Sequence, residues 1–421
     1  MVVLFCTEQY YPLQTGTAVA DYNLTRALSQ AGHQVFVLTS GSFAHQKLTR
    51  EGAKQTIQSG TMQREAIQIA PNLSVIAFNI YAGVGGWQGE LQAYKDFVQN
   101  FACDLLINVT LLTWNSNLII SLLPSLKAHK KVLINHGEQA FMSCCFGFKR
   151  FVKDSVKFLL TTLKLYPKGI YPWWFKEQVK RHIKHYDRVF FLHNKSHGYA
   201  YLKPFCSSVG ILPNGVFAKD ICPPKSLEVS LMDQNAKAQP DPKLSALLDT
   251  PYVLNVSNYY PEKGQDFVLR AYYLSQARLP LIFIGALDKD HTLSRLKASK
   301  AQLDADFGFK EVFFYYALAR DEVLEASKRA TLFLHASHAP YEAFPMVILE
   351  CLQFATPFVC TPIGNVKELC PDLIAHTPQE MAEKINTLLN DPAHYAKVST
   401  GLHEKVQAFC YDQLVKLLEE V

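Results

Sequence analysis

What the 421-residue sequence lacks narrows its class before any motif is read. None of its ten cysteines forms a Cys-x-x-Cys pair, and Cys144 and Cys145 are adjacent. That pattern argues against a zinc site or a disulfide framework and for buried free thiols in a reducing compartment. Low-complexity tracts are missing, and 49% hydrophobic against 19% charged residues excludes a disordered chain. No clean membrane-spanning run occurs. Residues 105–126 carry no charge, but Asn108, Thr110, Thr113, Asn115, Ser116 and Asn117 break the centre, so a strand, a loop and a buried helix are expected there. The opening MVVLFCTEQYYP has too short an apolar run, and too little charge before it, for a signal peptide. A cytoplasmic protein is expected.

What is present is a rhythm of short apolar runs bounded by turn residues. VVLF, QVFVLT, LSVIAFN, DLLINVT, KVLINH and RVFFLH form one series before residue 195, and YVLNVS, LPLIFIGA, EVFFYYA, ATLFLHAS and TPFVCTP a second after residue 250. Runs of this kind are buried parallel strands. Helix-length amphipathic stretches separate them, such as AVADYNLTRALSQAGH, which Gly32 closes. The reading is α/β: two doubly wound Rossmann-like domains. Residues 1–208 form the first, 209–402 the second, and a helix at about 403–421 returns to the first. Since open α/β sheets bind ligands beyond the carboxyl ends of their strands, two such sheets facing each other would enclose a substrate cleft.

Charge divides between the halves. Residues 1–212 carry 22 basic and 11 acidic side chains, a net +11, and residues 213–421 carry 20 and 26, a net −6. The excess gathers in residues 147–185. There Lys149, Lys153 and Lys157 form one helical row and, from Phe148, Val152, Val156, Leu159, Leu160 and Leu163 another, followed by Trp173 and Trp174. A cationic amphipathic helix with interfacial tryptophans suits an anionic membrane surface; the plainer alternative is a helix packed on the sheet with a solvated basic face. Nucleic acid is not expected, because no recognition module accompanies the charge.

The chemistry concentrates in HAPYEAFPMVILECLQF, residues 338–354. Glu342 and Glu350 are eight positions apart, which along a helix is ~12 Å and a different face. ATLFLHAS reads as a strand, APYEAF as a loop, and Pro345 as the first helical residue. Glu342 then lies on the loop and Glu350 inside the helix. The N–H groups of Ala343, Phe344, Met346 and Val347 head that helix, where a phosphate is favoured. Two carboxylates flanking a phosphate site can grip hydroxyls at the two ends of a nucleotide sugar; two unrelated solvated glutamates are the bland alternative.

This stretch resembles the Glu–seven residues–Glu signature of retaining GT-B glycosyltransferases of the family 4 group. YYPLQTGTAVADYNLTRALSQAGHQVFVLTS is similar to that family's first strand, glycine loop and helix. GILPNGV at 210–216 resembles its crossover, PEKGQDFVLRAYYL its lysine-bearing segment, and TPIGNVKEL its late glycine turn. The resemblance implies that Glu350 binds ribose hydroxyls, that Glu342 orients the donor sugar, and that Lys263 neutralises the diphosphate. It also implies that Gly16 approaches the ligands and that His136, in INHGEQ, lies near the transferred sugar. No cofactor and no metal are implied; the co-substrate is a nucleoside-diphosphate sugar and the acceptor a saccharide or lipid-linked hydroxyl.

Several positions depart from the family. Ser257-Asn258 stands where Gly-Arg is usual, and Asn258 cannot supply an arginine's charged fork; Arg320 is the candidate replacement. Ala343, Thr17 and Asn365 replace glycines. A nucleotide-sugar-binding protein without activity, or an epimerase or phosphorylase of the same fold, are therefore the alternatives. GVGGWQG at 83–89 fails dinucleotide spacing and reads as a glycine-rich loop, and His193 with His197 lacks a supporting metal ligand.

Overall fold

The computed structural model describes residues 1–41, 52–83, 86–137, 178–227 and 244–421, together with residues 141, 152, 153, 155, 156, 159 and 160. The chain divides into two compact units, Met1–Gly215 with Tyr411–Val421, and Val216–Cys410.

The first unit is built on one sheet. Its strands are β1 (Val2–Cys6), β2 (Gln34–Ser40), β3 (Ala53–Ser59), β4 (Met62–Ala70), β5 (Leu73–Phe78), β8 (Cys103–Val109), β9 (Ala128–Asn135), β10 (Arg188–Phe191) and β11 (Val209–Ile211); β6 (Ile80–Gly83) and β7 (Gly86–Gly89) form a separate hairpin. The order is β11-β10-β9-β8-β1-β2-β5-β4-β3. Pairing is parallel from β11 to β5, and β4 and β3 add an antiparallel edge. All six apolar runs expected as strands in this half are strands. β3 and β4 were not expected, because their Gln- and Glu-rich alternation buries few residues. The hairpin corrects the glycine-rich loop expected at 83–89: Gly86 and Gly89 take positive φ values and pair with Gly83 and Ile80 respectively. The buried helix expected within 105–126 is a short helical turn, Trp114–Asn117, and a 3-10 segment, Ile120–Ser125, that contains Pro124. Proline removes an N–H and clashes with the turn before it.

Helix α1 (Gly16–Gln30) starts at Thr15, whose side chain accepts from the Ala18 N–H, and Gly32 turns the chain with φ +88°. Helix α2 (Leu91–Asn100) lays Tyr94 and Phe97 on the sheet. Tyr94 meets Phe78 and Trp114 edge-on at 5.4 and 4.8 Å, and each such buried ring contributes roughly 1.5–3 kcal/mol. The C-terminal helix Tyr411–Glu419 packs on α1, with Glu419 Oε1 2.8 Å from His33 Nε2.

The second unit has β12 (Val253–Val256), β13 (Leu281–Gly285), β14 (Val312–Tyr316), β15 (Leu332–His335) and β16 (Phe358–Cys360), all parallel in the order β14-β13-β12-β15-β16. These are the five runs expected in this half. Helices α3 (Gln265–Leu274), α4 (Arg320–Arg329) and α5 (Met346–Gln353) follow β12, β14 and β15. Strand order reverses beside β12, so loops after β12 and β15 border one crevice at the carboxyl edge. Among the described residues, no helix is long and apolar enough to cross a membrane.

Candidate functional site

In the second unit the loops after β12 and β15 are locked together by backbone. The Glu262 carbonyl accepts from the His338 N–H at 3.0 Å. Gly264 has φ +63°, and a Cβ there would lie 2.2 Å from the Ala336 carbonyl oxygen, so only glycine lets the lysine-bearing turn approach so closely. Lys263 consequently reaches Glu342: its Nζ donates to both carboxylate oxygens at 2.9 Å. Ser337 Oγ also donates to Glu342 Oε2, at 2.5 Å. Burial alone would push the Glu342 carboxyl up, but the Lys263 charge and the Ser337 hydroxyl hold it below the usual carboxylate range. The late glycine turn closes the same loop. Gly364 has φ +51°, its Cβ would fall 2.1 Å from the Ala343 carbonyl oxygen, and that carbonyl accepts from Asn365 N–H at 3.0 Å.

Glu350 lies in α5, its side chain 5% exposed. Arg320, the first residue of α4, donates to its Oε1, while Oε2 is buried with no partner. Arg320, expected as the missing charge beside the lysine, thus spends its guanidinium on Glu350. Helix α5 begins at Met346, with Pro345 as its N-cap; the expected start is one residue early because proline's fixed φ serves either position. As first helical residues Met346 and Val347 have no preceding-turn carbonyl to bind. Ala343 and Phe344 are buried, Phe344 against Phe409 at 5.4 Å between ring centres. Asn258 presents no charge. Its carbonyl and the Ser257 hydroxyl accept from Gln265 Nε2 at 2.7 Å each, which pins the turn before Lys263.

Sequence reasoning missed His335, the last residue of β15. It is 1% exposed, neither ring nitrogen has a partner, and burial pushes its pKa down to about 4 despite the Glu342 carboxylate nearby. The imidazole is therefore neutral beneath the Lys263–Glu342 pair. A histidine closing an apolar strand run was the available signal.

In the first unit Thr7, Thr110 and His136 each directly follow one of the adjacent strands β1, β8 and β9. His136 Nε2 lies 2.8 Å from Oδ1 of Asp21, a fully buried α1 residue that sequence reading also missed. Thr7 Oγ1 donates to Asp21 Oδ2 at 2.6 Å. Gly16 is exposed at the start of α1.

Of the membrane-facing residues expected, Lys149, Lys157, Trp173 and Trp174 lie outside the described residues. Lys153 is exposed in a helical position, as are Val152, Val156 and Leu159 at 41, 52 and 57%. Among the described residues no group of three or more His, Cys, Asp or Glu could hold a metal. Two Asp-x-Asp triplets that sequence reading passed over, at 288–290 and 304–306, lie among them; Asp304 is held by Lys300, Tyr273 and the Lys310 N–H. A cavity of about 680 Å³ lies at the opposite, amino-terminal edge of the second sheet, lined among others by Lys225, Asp249, Arg278, Lys328 and Tyr395.

Two Rossmann-like units with paired acids in the second define the GT-B class of fold. Residues 238–402 match the family model for glycosyl transferases group 1. The chain is similar over its full length to many solved structures, three of which follow. The Anabaena protein Alr3699/HepE in complex with UDP has a TM-score of 0.64 at 15% identity, covering 100% of this chain and 99% of that one. A glycosyltransferase from Rickettsia africae has 0.63 at 13% identity, covering 100% and 97%, and the E. coli trehalose-6-phosphate structure bound with UDP-2-fluoro glucose 0.62 at 10%, covering 100% and 98%. No curated protein matches the sequence.

Proposed function

We propose that the protein is a retaining glycosyltransferase that takes a sugar from a nucleoside diphosphate and delivers it to a hydroxyl acceptor, in cell-envelope or surface glycan assembly. The observation that carries this reading is the Lys263–Glu342 pair on the loop leading into α5. A diphosphate at the Ala343, Phe344, Met346 and Val347 N–H groups competes for Lys263, whose charge then stabilises the departing phosphate. Glu342, released, accepts hydroxyls of the donor sugar. Glu350 keeps Arg320 on one oxygen and offers the other to ribose hydroxyls. UDP and UDP-glucose, held by the HepE structures, are the first donors to try. Asp21 is fully buried and holds Thr7 and His136, so it is not placed as a covalent nucleophile. Departure and attack on one face, without a metal, is the route we favour.

The first unit takes the acceptor. Exposed Val152, Val156 and Leu159 beside Lys153 support a peripheral position on an anionic membrane face, and hence a lipid-linked acceptor. Binding to anionic vesicles at low salt that fades at high salt is expected; equal binding to neutral vesicles rejects the electrostatic part.

The test of the main reading is nucleoside diphosphate release from UDP-sugars, with thermal shift as the binding measure. Turnover in wild type and its loss in Glu342→Ala is expected. Asn258, where an arginine charge is usual, favours a second reading, a sugar-nucleotide binder without transfer. Tight binding with no release over a broad acceptor panel establishes that one instead.

A further inference from the structure

The first unit holds a polar assembly more elaborate than a strand-end histidine needs. Asp21 sits on α1 with no exposure, yet both its oxygens are used: Oδ2 accepts from Thr7 Oγ1 at 2.6 Å and Oδ1 faces His136 Nε2 at 2.8 Å. The turn carrying it is pinned as well. Thr25 Oγ1 donates to the Asp21 carbonyl at 2.9 Å, and Tyr10 Oη lies 2.5 Å from Thr25 Oγ1. Beside His136, Thr110 has φ +59°, a conformation a β-branched residue adopts only under strain. Its carbonyl accepts from Thr113 Oγ1 at 3.0 Å and from Ser116, while its own Oγ1 and Asn135 Oδ1 are buried without partners. A carboxylate accepts and does not donate, so His136 keeps its Nε2 hydrogen toward Asp21 and leaves Nδ1 as the nitrogen without a partner among the described residues.

We propose that Asp21 is a positioning residue: it fixes the orientation and tautomer of His136 so that Nδ1 accepts a hydrogen bond from a substrate hydroxyl at the carboxyl edge of the first sheet. This rests on the glycosyltransferase reading above and adds to it a residue outside the donor-binding unit. The physical logic is that of any carboxylate behind a histidine: it selects which ring nitrogen carries hydrogen and makes the other a better acceptor.

Two side chains separate this role from mere space-filling. Asparagine can turn its oxygen to His136 and its amide to Thr7, whose hydroxyl then donates to the Gln9 carbonyl already 3.1 Å away. Leucine fills similar volume but accepts nothing. Asp21→Asn is expected to keep kcat within about tenfold of wild type, whereas Asp21→Leu loses about a hundredfold with KM for the donor changed less than about threefold. Leucine activity equal to wild type, or an equal loss in both variants, overturns the proposal. Should Asp21→Leu not fold, the wild-type protein still decides: ¹⁵N spectra of labelled histidine are expected to show His136 protonated on Nε2, and an Nδ1–H tautomer refutes the assignment. Absence of turnover in wild type with the Nε2–H tautomer present defeats the glycosyltransferase reading and leaves the Asp21 geometry standing.

Discussion

Both units gather polar side chains just beyond the carboxyl ends of adjacent parallel strands, and they satisfy them differently. In the first unit the carboxylate is sealed: Asp21 is fully buried and both its oxygens serve Thr7 and His136. In the second, each acid has its own cation. Glu342 holds Lys263 with side chains 16% and 18% exposed, and Glu350 holds Arg320 on one oxygen with the other unpartnered. A sealed carboxylate can act only through the residue it holds. A carboxylate paired with a partly exposed cation can change partners when an anion arrives, which is what a diphosphate-sugar site requires. The two glutamates eight residues apart are thus two separate ion pairs, one on a loop and one in a helix.

The largest expected effect tests that exchange directly. Lys263→Ala removes the cation a departing diphosphate would take, and should lower turnover by about a hundredfold or more, with a stability loss of about 2 kcal/mol because Glu342 stays largely buried without its cation. Unchanged turnover in this variant would mean that the pair is structural and that the two edges do not differ in kind.

Next in size is Gly364→Ala. Its Cβ would meet the Ala343 carbonyl at 2.1 Å in a left-handed conformation, so backbone must move. A loss on the order of 3 kcal/mol is expected, read as a lowered melting temperature together with weaker nucleotide binding. A variant with native melting and native binding would show that the turn does not brace the donor loop.

Arg320→Met should leave Glu350 buried without its partner. Full burial of both groups would make this cost about 3–5 kcal/mol; with Arg320 26% exposed, a loss of about 2 kcal/mol is the better expectation. The double variant Arg320→Met, Glu350→Gln should recover most of it. Recovery in the double variant distinguishes an uncompensated carboxylate from lost packing.

How far the sequence foretells this picture depends on how local the signal is. Apolar runs mark eleven of the twelve parallel strands, all but the short β11, because burial on both faces leaves a continuous hydrophobic string. β3 and β4 escape because their side chains stay half wet and polar. Lys263, Glu342 and Glu350 were legible through spacing and resemblance. Asp21 and Arg320's actual partner were not, since both pairings join residues distant in sequence (|i−j| of 115 and 30) that only the sheet order brings together. Gly264 and Gly364 show the same limit: a glycine can be read as a turn, but not which carbonyl it must pass.

His335 provides the smallest effect and the finest contrast with His136, whose ring meets a carboxylate at hydrogen-bond distance where that of His335 meets none. Burial lowers the folded-state pKa of His335 to about 4, against about 6.5 in an unfolded chain. Between these values the unfolded state binds more protons, so stability rises with pH across that window and falls as pH drops from 6.5 toward 4. At pH 5 the loss from this residue is on the order of 2 kcal/mol relative to pH 7.5. His335→Leu removes the titrating ring, so its unfolding free energy should change less between pH 7.5 and pH 5 than that of wild type, by that same amount. Denaturant titrations at the two pH values measure the difference. Equal pH sensitivity in both proteins would show that a proton reaches His335 in the folded state, and hence that the floor beneath Lys263 and Glu342 is open to water.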